Sequence, residues 1–183
     1  TMNMTRERLK DSAPAKFFFA IAGGRESYRP EAESLLAACC GELDSRSALY
    51  RFSDFSTYYD EETGGPVWKY LVGVKDLLHP EELVRIKHET ERIQAGFARE
   101  IEGRLGREIN IDPGYLNGWQ VVLASVKNFT HRIYLSAGVY AETTLLYHKG
   151  GFLPLPWTYA DYLSDPVLSF LAGARKEWSR QGG

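Results

Sequence analysis

The sequence predicts an α+β fold: a split β-α-β (ferredoxin-like) core sheet extended by additional antiparallel strands and a C-terminal helix. Three observations predict it. The first half alternates strand-like and helix-like segments in the order β-α-β-β-α-β. The second half carries period-two runs rich in Val, Leu, Thr and Tyr. A last amphipathic stretch then follows them. Strands that cluster late in the chain argue against a doubly wound parallel fold.

The 183 residues suit one domain of roughly 100–200 residues. Residues 1–15 read as a flexible N-terminal arm, and residues 16–180 as a single α+β domain. Lys16–Gly23 is an almost continuous apolar run ending in Gly-Gly, as expected of a central strand buried on both faces. A first helix opens at Pro30, with Glu31 and Glu33 in its positive first turn. Ala32, Leu35, Leu36, Cys39 and Cys40 give it one apolar face, and Gly41 stops it. Short strands follow at Ala48–Phe52 and Val67–Val74. The polar, aromatic segment Ser53–Glu62 between them is too long for a tight hairpin.

A second helix opens at Pro80. Leu83, Ile86, Thr90, Ile93, Phe97 and Ile101 form its stripe, so the helix should run to Gly103 or Gly106. Lys87 lies beside the polar Thr90. Arg107–Ile111 is the next strand, ended by the turn signature Asp112-Pro113-Gly114. Longer strands follow at Gln120–Asn128 and Arg132–Leu135, the second resuming through Val139–Tyr147. Gly150-Gly151 breaks the run, and Phe152–Leu155 adds an edge strand. The last helix opens at Asp165-Pro166 and presents Val167, Phe170, Leu171, Ala174 and Trp178 on one side.

The net charge of −2 and a pI near 6.1 argue against nucleic acid or anionic membrane as a partner held by bulk charge. No apolar run approaches the ~20 residues of a membrane span. Cys39 and Cys40 are adjacent, which suits core packing in a cytoplasmic protein and not a secreted disulfide framework. There is no CxxC, HExxH, GxSxG or P-loop, and no GxGxxG after the first strand.

The charge is unevenly spread. Residues 110–162 hold six acidic or basic side chains, Asp112, Lys127, Arg132, Glu142, Lys149 and Asp161, alongside ten of the chain's 24 aromatics. Most of this segment should therefore be buried. Buried charge is costly unless paired, so these few groups cap turns, pair with one another or line a site. As a site, Asn110 and Asp112 share a strand face. His131 could serve as acid or base, and Arg132 could hold a phosphate or carboxylate. Glu142, flanked by apolar residues on its strand, also suits acid–base work. An Arg132–Glu142 pair with a structural role is the plain alternative. In the Ser53–Glu62 loop, Tyr58 and Tyr59 are candidate ligand contacts. Asp54, Asp60 and Glu61 there are candidate oxygen ligands for a hard metal ion, at spacings that match no EF-hand. Trp157-Thr158-Tyr159-Ala160-Asp161-Tyr162 repeats that chemistry and could border the same cleft.

Several segments together resemble a prokaryotic family of uncharacterised proteins, some of which carry a GTP-binding label. They are Phe52-Ser53-Asp54-Phe55-Ser56-Thr57-Tyr58-Tyr59-Asp60-Glu61-Glu62, Asn110-Ile111-Asp112-Pro113-Gly114-Tyr115 and Lys127-Asn128-Phe129-Thr130-His131-Arg132-Ile133-Tyr134-Leu135. Gly138–Glu142, Trp157–Tyr162 and Ile86-Lys87 with Thr90 extend the likeness over nearly the whole chain. Glu62-Thr63-Gly64 stands where that family usually has Glu-Met-Gly. The resemblance implies no activity. The GTP label has no support here, because neither a P-loop nor an Asn-Lys-x-Asp segment occurs.

The residues favour a small cytoplasmic enzyme or ligand-binding protein for an anionic, phosphorylated or carboxylated small molecule. His131, Asp112 and Glu142 would be its catalytic groups. Lys127, Arg132, Tyr58, Tyr59, Lys87 and Asp161 would bind the ligand. No cofactor is indicated. A homodimer joined through the aromatic-rich strands and an RNA-binding module with Tyr58, Tyr59, Tyr134 and Tyr140 on an open sheet are the alternatives.

Overall fold

The computed structural model describes residues 11–24, 28–56, 65–101, 104–106 and 108–183. The first elements among the described residues are β1 (Lys16–Gly23), α1 (Arg29–Cys40), β2 (Leu43–Arg46) and β3 (Tyr50–Arg51). A 3-10 turn at Phe52–Asp54 leads toward β4 (Trp68–Val74) and α2 (Glu82–Gly96). Two short strands, β5 (Arg99–Ile101) and β6 (Arg104–Gly106), form a ribbon of their own. Then come β7 (Ile109–Leu116), β8 (Gln120–Ser125), β9 (Ile133–Ser136), β10 (Val139–His148) and β11 (Gly151–Pro154). A second 3-10 turn, Ala160–Leu163, precedes α3 (Asp165–Arg180).

The main sheet has the order β11-β10-β8-β7-β1-β4-β2, with β3 on β4 and β9 on β10. Its pairings are antiparallel. The inner order β7-β1-β4-β2, with α1 and α2 packed on one face, is compatible with the split β-α-β plan. Phe17, Phe19 and Ile21 of β1 face α1 and α2, while Phe18, Ala20 and Ala22 face α3. Alternate residues of one apolar run thus feed two cores, so β1 is buried along its whole length. An RNA module of the expected kind needs an open sheet face, and α3 covers that face at β1. The stripe expected of the last helix is the one it buries: Val167, Phe170, Leu171, Ala174 and Trp178.

Several expectations need correction. The second strand is Leu43–Arg46, whereas Ala48–Phe52 supplies only β3 and the start of a 3-10 turn. Leu-Asp-Ser-Arg half-buries alternate residues, and its polar content hides it from an apolar count. Leu35 on α1 is 37% exposed, because the buried face is narrower than the apolar stripe. The second helix ends at Gly96, where a Phe97 N–H to Gln94 carbonyl bond tightens the last turn. Ile101 therefore belongs to β5.

Asp112-Pro113-Gly114 is not a turn but the middle of β7, opposite Ala20, Phe19 and Phe18 of β1. Proline is tolerated because pairing with β8 begins only at Gly114. The run from Arg132 does not resume in one direction. β9 and β10 form a hairpin through Ala137-Gly138, with φ of 48° and 78°, the signature of a primed two-residue turn. Nor is the charge-poor segment mostly buried. Phe129, Ile133 and Tyr134 are 63%, 71% and 57% exposed, since β9 pairs with β10 alone.

Candidate functional site

β7 and β8 pair over Gly114, Tyr115 and Leu116 only, and part beyond them. The N–H of Ile111, beyond the paired stretch, instead donates to Gln94 Oε1 on α2. A pocket of about 460 Å³ occupies the divergence. Asn110 and Asp112 of β7 line it on one side, and Leu123, Ala124 and Ser125 of β8 on the other. Lys87 and Glu91 enter from α2, and Glu142 from β10. Lys69 of β4 joins Phe52, Phe55 and Ser56, and the Tyr159–Tyr162 segment closes the rim.

Cross-strand register places these groups. Lys69, Ala22 and Asn110 form one row across β4, β1 and β7, and Leu71, Ala20 and Asp112 form the next. Glu142 stands opposite Leu123, which stands opposite Gly114. All these rows face the α3 side, where alanine and glycine leave room for longer neighbours.

Three carboxylates organise the polar contacts. Asp161, 1% exposed, accepts on Oδ2 from both Lys69 Nζ and Tyr50 Oη, each at 2.7 Å. The Lys69 ammonium also lies 4.7 Å from the Phe52 ring centre and 5.2 Å from that of Tyr162. Burial pushes the Tyr50 hydroxyl far above its ordinary value, and the Asp161 charge adds to the shift. The fully buried Tyr162 is raised for the same two reasons.

Glu142, 4% exposed, accepts on Oε2 from His131 Nε2 at 2.5 Å and from Arg132 Nε at 3.0 Å. Arg132 also donates to the Lys127 carbonyl and, at 3.1 Å, to Tyr159 Oη. His131 stacks on Trp157, with ring centres 4.8 Å apart and planes 12° apart. Burial raises the Tyr159 hydroxyl and Glu142 adds to it, while Arg132 opposes. Asp112 accepts on Oδ2 from Asn110 Nδ2 at 2.8 Å, and its Oδ1 lies 3.9 Å from Lys87 Nζ. Lys87, buried despite its charge, pairs with Glu91 at 2.7 Å.

Of the residues expected from sequence, Lys87, Asp112, Lys127, Arg132, Glu142 and Asp161 all line this one pocket. His131 does not line it; it holds Glu142 from behind. Asp54 points to solvent, 64% exposed and 3.7 Å from Arg51 Nε. Tyr58, Tyr59, Asp60 and Glu61 lie outside the described residues. Among the described residues, no group of three or more His, Cys, Asp or Glu side chains is placed to hold a metal ion.

Sequence reading missed Lys69 and Tyr50. The scarcity of charge that marks residues 110–162 marks Lys69 equally well, as the lone cation inside Val-Trp-Lys-Tyr-Leu-Val-Gly-Val. Tyr50 carries no comparable signal.

The arrangement sets four cations, Lys69, Lys87, Lys127 and Arg132, against four carboxylates in a partly apolar cleft. It can bind charge of either sign, and it presents an oriented carboxylate, Glu142, to whatever enters. No curated protein matches the sequence. The family profile described as "Domain of unknown function (DUF4416)" matches residues 13–178. That span takes in every residue of the pocket, and the chain belongs to this family.

Proposed function

We propose that this protein is a small enzyme or ligand-binding protein that acts on a small molecule carrying a phosphate or carboxylate. The observation that carries the reading is convergence. Seven charged residues scattered from position 87 to position 161 line one pocket of about 460 Å³, within the ~300–1,000 Å³ typical of small-molecule sites. Lys127 and Arg132 hold the anion with Lys87 behind them, and Glu142 acts as acid or base. His131 is a positioning residue: its bond to Glu142 Oε2 sets which carboxylate edge faces the cleft. The free thiols Cys39 and Cys40 fit a reducing compartment such as the cytoplasm.

The test is titration of the ¹⁵N-labelled protein with inorganic phosphate and with citrate. Shifts should concentrate at Ser125–Arg132 and around Lys87. Lys127→Gln, a change at a largely exposed position, should weaken binding about tenfold, near 1.4 kcal/mol. Absence of shifts at tens of millimolar, or shifts confined to other surfaces, retires the reading.

A further inference from the structure

Three of the four pocket carboxylates, Asp112, Glu142 and Asp161, share a pattern. Each commits one oxygen to protein donors and leaves the other without a hydrogen bond among the described residues. Asp161 gives Oδ2 to Lys69 and Tyr50, while its buried Oδ1 has no partner. Glu142 gives Oε2 to both His131 and Arg132, and among the described residues no donor is recorded on Oε1. Asp112 gives Oδ2 to Asn110, and Oδ1 stops 3.9 Å short of Lys87. The buried Tyr162 hydroxyl also lacks a partner among the described residues.

An ionised carboxylate only accepts hydrogen bonds, and an unsatisfied buried acceptor costs about 1–3 kcal/mol. Asp161 Oδ1 is such a buried acceptor, and Glu142 Oε1 and Asp112 Oδ1, the latter on a side chain 33% exposed, add two more acceptors on residues lining the same cleft. The carboxylates do not converge on a common point, since no metal-holding cluster forms among the described residues. A single ammonium or metal ion therefore does not serve all three. Donors spread along one molecule do. The rings of Phe52, Phe55 and Tyr159 also line the cleft and offer flat apolar contact to C–H groups between those donors.

We infer that the ligand is a polyhydroxylated anion, of the sugar-phosphate or sugar-acid class, with its hydroxyl groups donating to Asp112, Glu142 and Asp161. This rests on the anion-binding reading above and names its substrate class. The cations take the acidic group, and the spare carboxylate oxygens read the hydroxyls.

The experiment compares inorganic phosphate, glycerol 3-phosphate, ribose 5-phosphate and ribose by calorimetry and by amide shifts, on the intact chain. Ribose 5-phosphate should bind at least tenfold tighter than inorganic phosphate, with glycerol 3-phosphate between them. Asp112→Asn and Glu142→Gln keep volume and remove one negative charge. Each should reduce the advantage of ribose 5-phosphate over phosphate about fivefold, while phosphate itself binds as well or better. A general charge effect would strengthen both anions together and would overturn the inference. Equal affinity for phosphate and ribose 5-phosphate in the unmodified protein overturns it as well, and leaves the anion reading standing. Ribose binding as tightly as ribose 5-phosphate, with no binding of inorganic phosphate, retires the anion reading and overturns the inference that rests on it. Failure of all four compounds overturns both.

Discussion

Gly114 is where residue-level chemistry bears most directly on the site. A Cβ there would stand 2.5 Å from the Val122 carbonyl oxygen, 2.7 Å from Leu123 Cδ2 and 2.9 Å from Phe18 Cζ. Two of those contacts belong to β8, so the glycine sets how closely β7 and β8 approach before they part. Gly114→Ala should cost about 1–3 kcal/mol in urea unfolding, as overpacked sites do. It should also shift the amide resonances of Asp112 and Ser125, which line the pocket. The same position shows why a tripeptide signature misleads. Asp-Pro-Gly favours a turn in isolation, and here the flanking pairing to β1 overrides that preference. The tendency is worth a kilocalorie or so, and burial of Ile109, Ile111 and Leu116 outweighs it.

Among the elements, α2 supports the site as well as the core. Its apolar residues Leu83, Ile86 and Ile93 pack beneath the sheet, while Lys87, Glu91 and Gln94 reach past the edge of β7. Gln94 is buried, and its side chain accepts the Ile111 N–H beyond the reach of β8 pairing. Gln94→Leu keeps the bulk and removes the acceptor. It should cost about 1–3 kcal/mol, the penalty for an orphaned buried N–H. Hydrogen exchange at Ile111 should accelerate more than at Ala20 or Ile21, whose strand keeps partners on both sides. Uniform acceleration would show instead that the whole core has loosened. Sequence periodicity marks α2 clearly as a helix but says nothing of this role. Gln94 carries no sequence signal that separates it from a solvated polar residue until a strand edge is placed beside it.

For the whole molecule, buried phenols make alkaline stability a test of the packing. Tyr50 and Tyr162 both have hydroxyls raised by burial and by the Asp161 charge. In the unfolded chain each ionises near its ordinary value of 10.0, while in the folded chain each stays protonated. Above that pH the folded state binds more protons than the unfolded one, so stability falls as pH rises. Their contribution is present in full below pH 10 and is lost progressively above it. Each tyrosine adds a slope approaching about 1.4 kcal/mol per pH unit. Urea midpoints measured from pH 8 to 11.5, with phenolate absorbance followed in parallel, should show this onset. Pre-unfolding phenolate that exceeds what the other nine of the chain's 11 tyrosines supply, judged against Tyr50→Phe and Tyr162→Phe, would place these hydroxyls in water.

Much of this architecture was legible beforehand. Apolar runs and helical stripes marked β1, α1, α2 and α3, because burial imposes periods that composition records. The missing charges of residues 110–162 pointed to six side chains, and five of those, Lys149 aside, line the pocket together with Lys87 from α2. Their convergence was decided only by the tertiary structure. The divergence of β7 from β8, the row that carries Lys69 and Asn110 on either side of Ala22, and the pairing of His131 with Glu142 depend on strand register. Register is set by contacts between residues far apart in the chain, and local periodicity carries no record of which strand lies next to which.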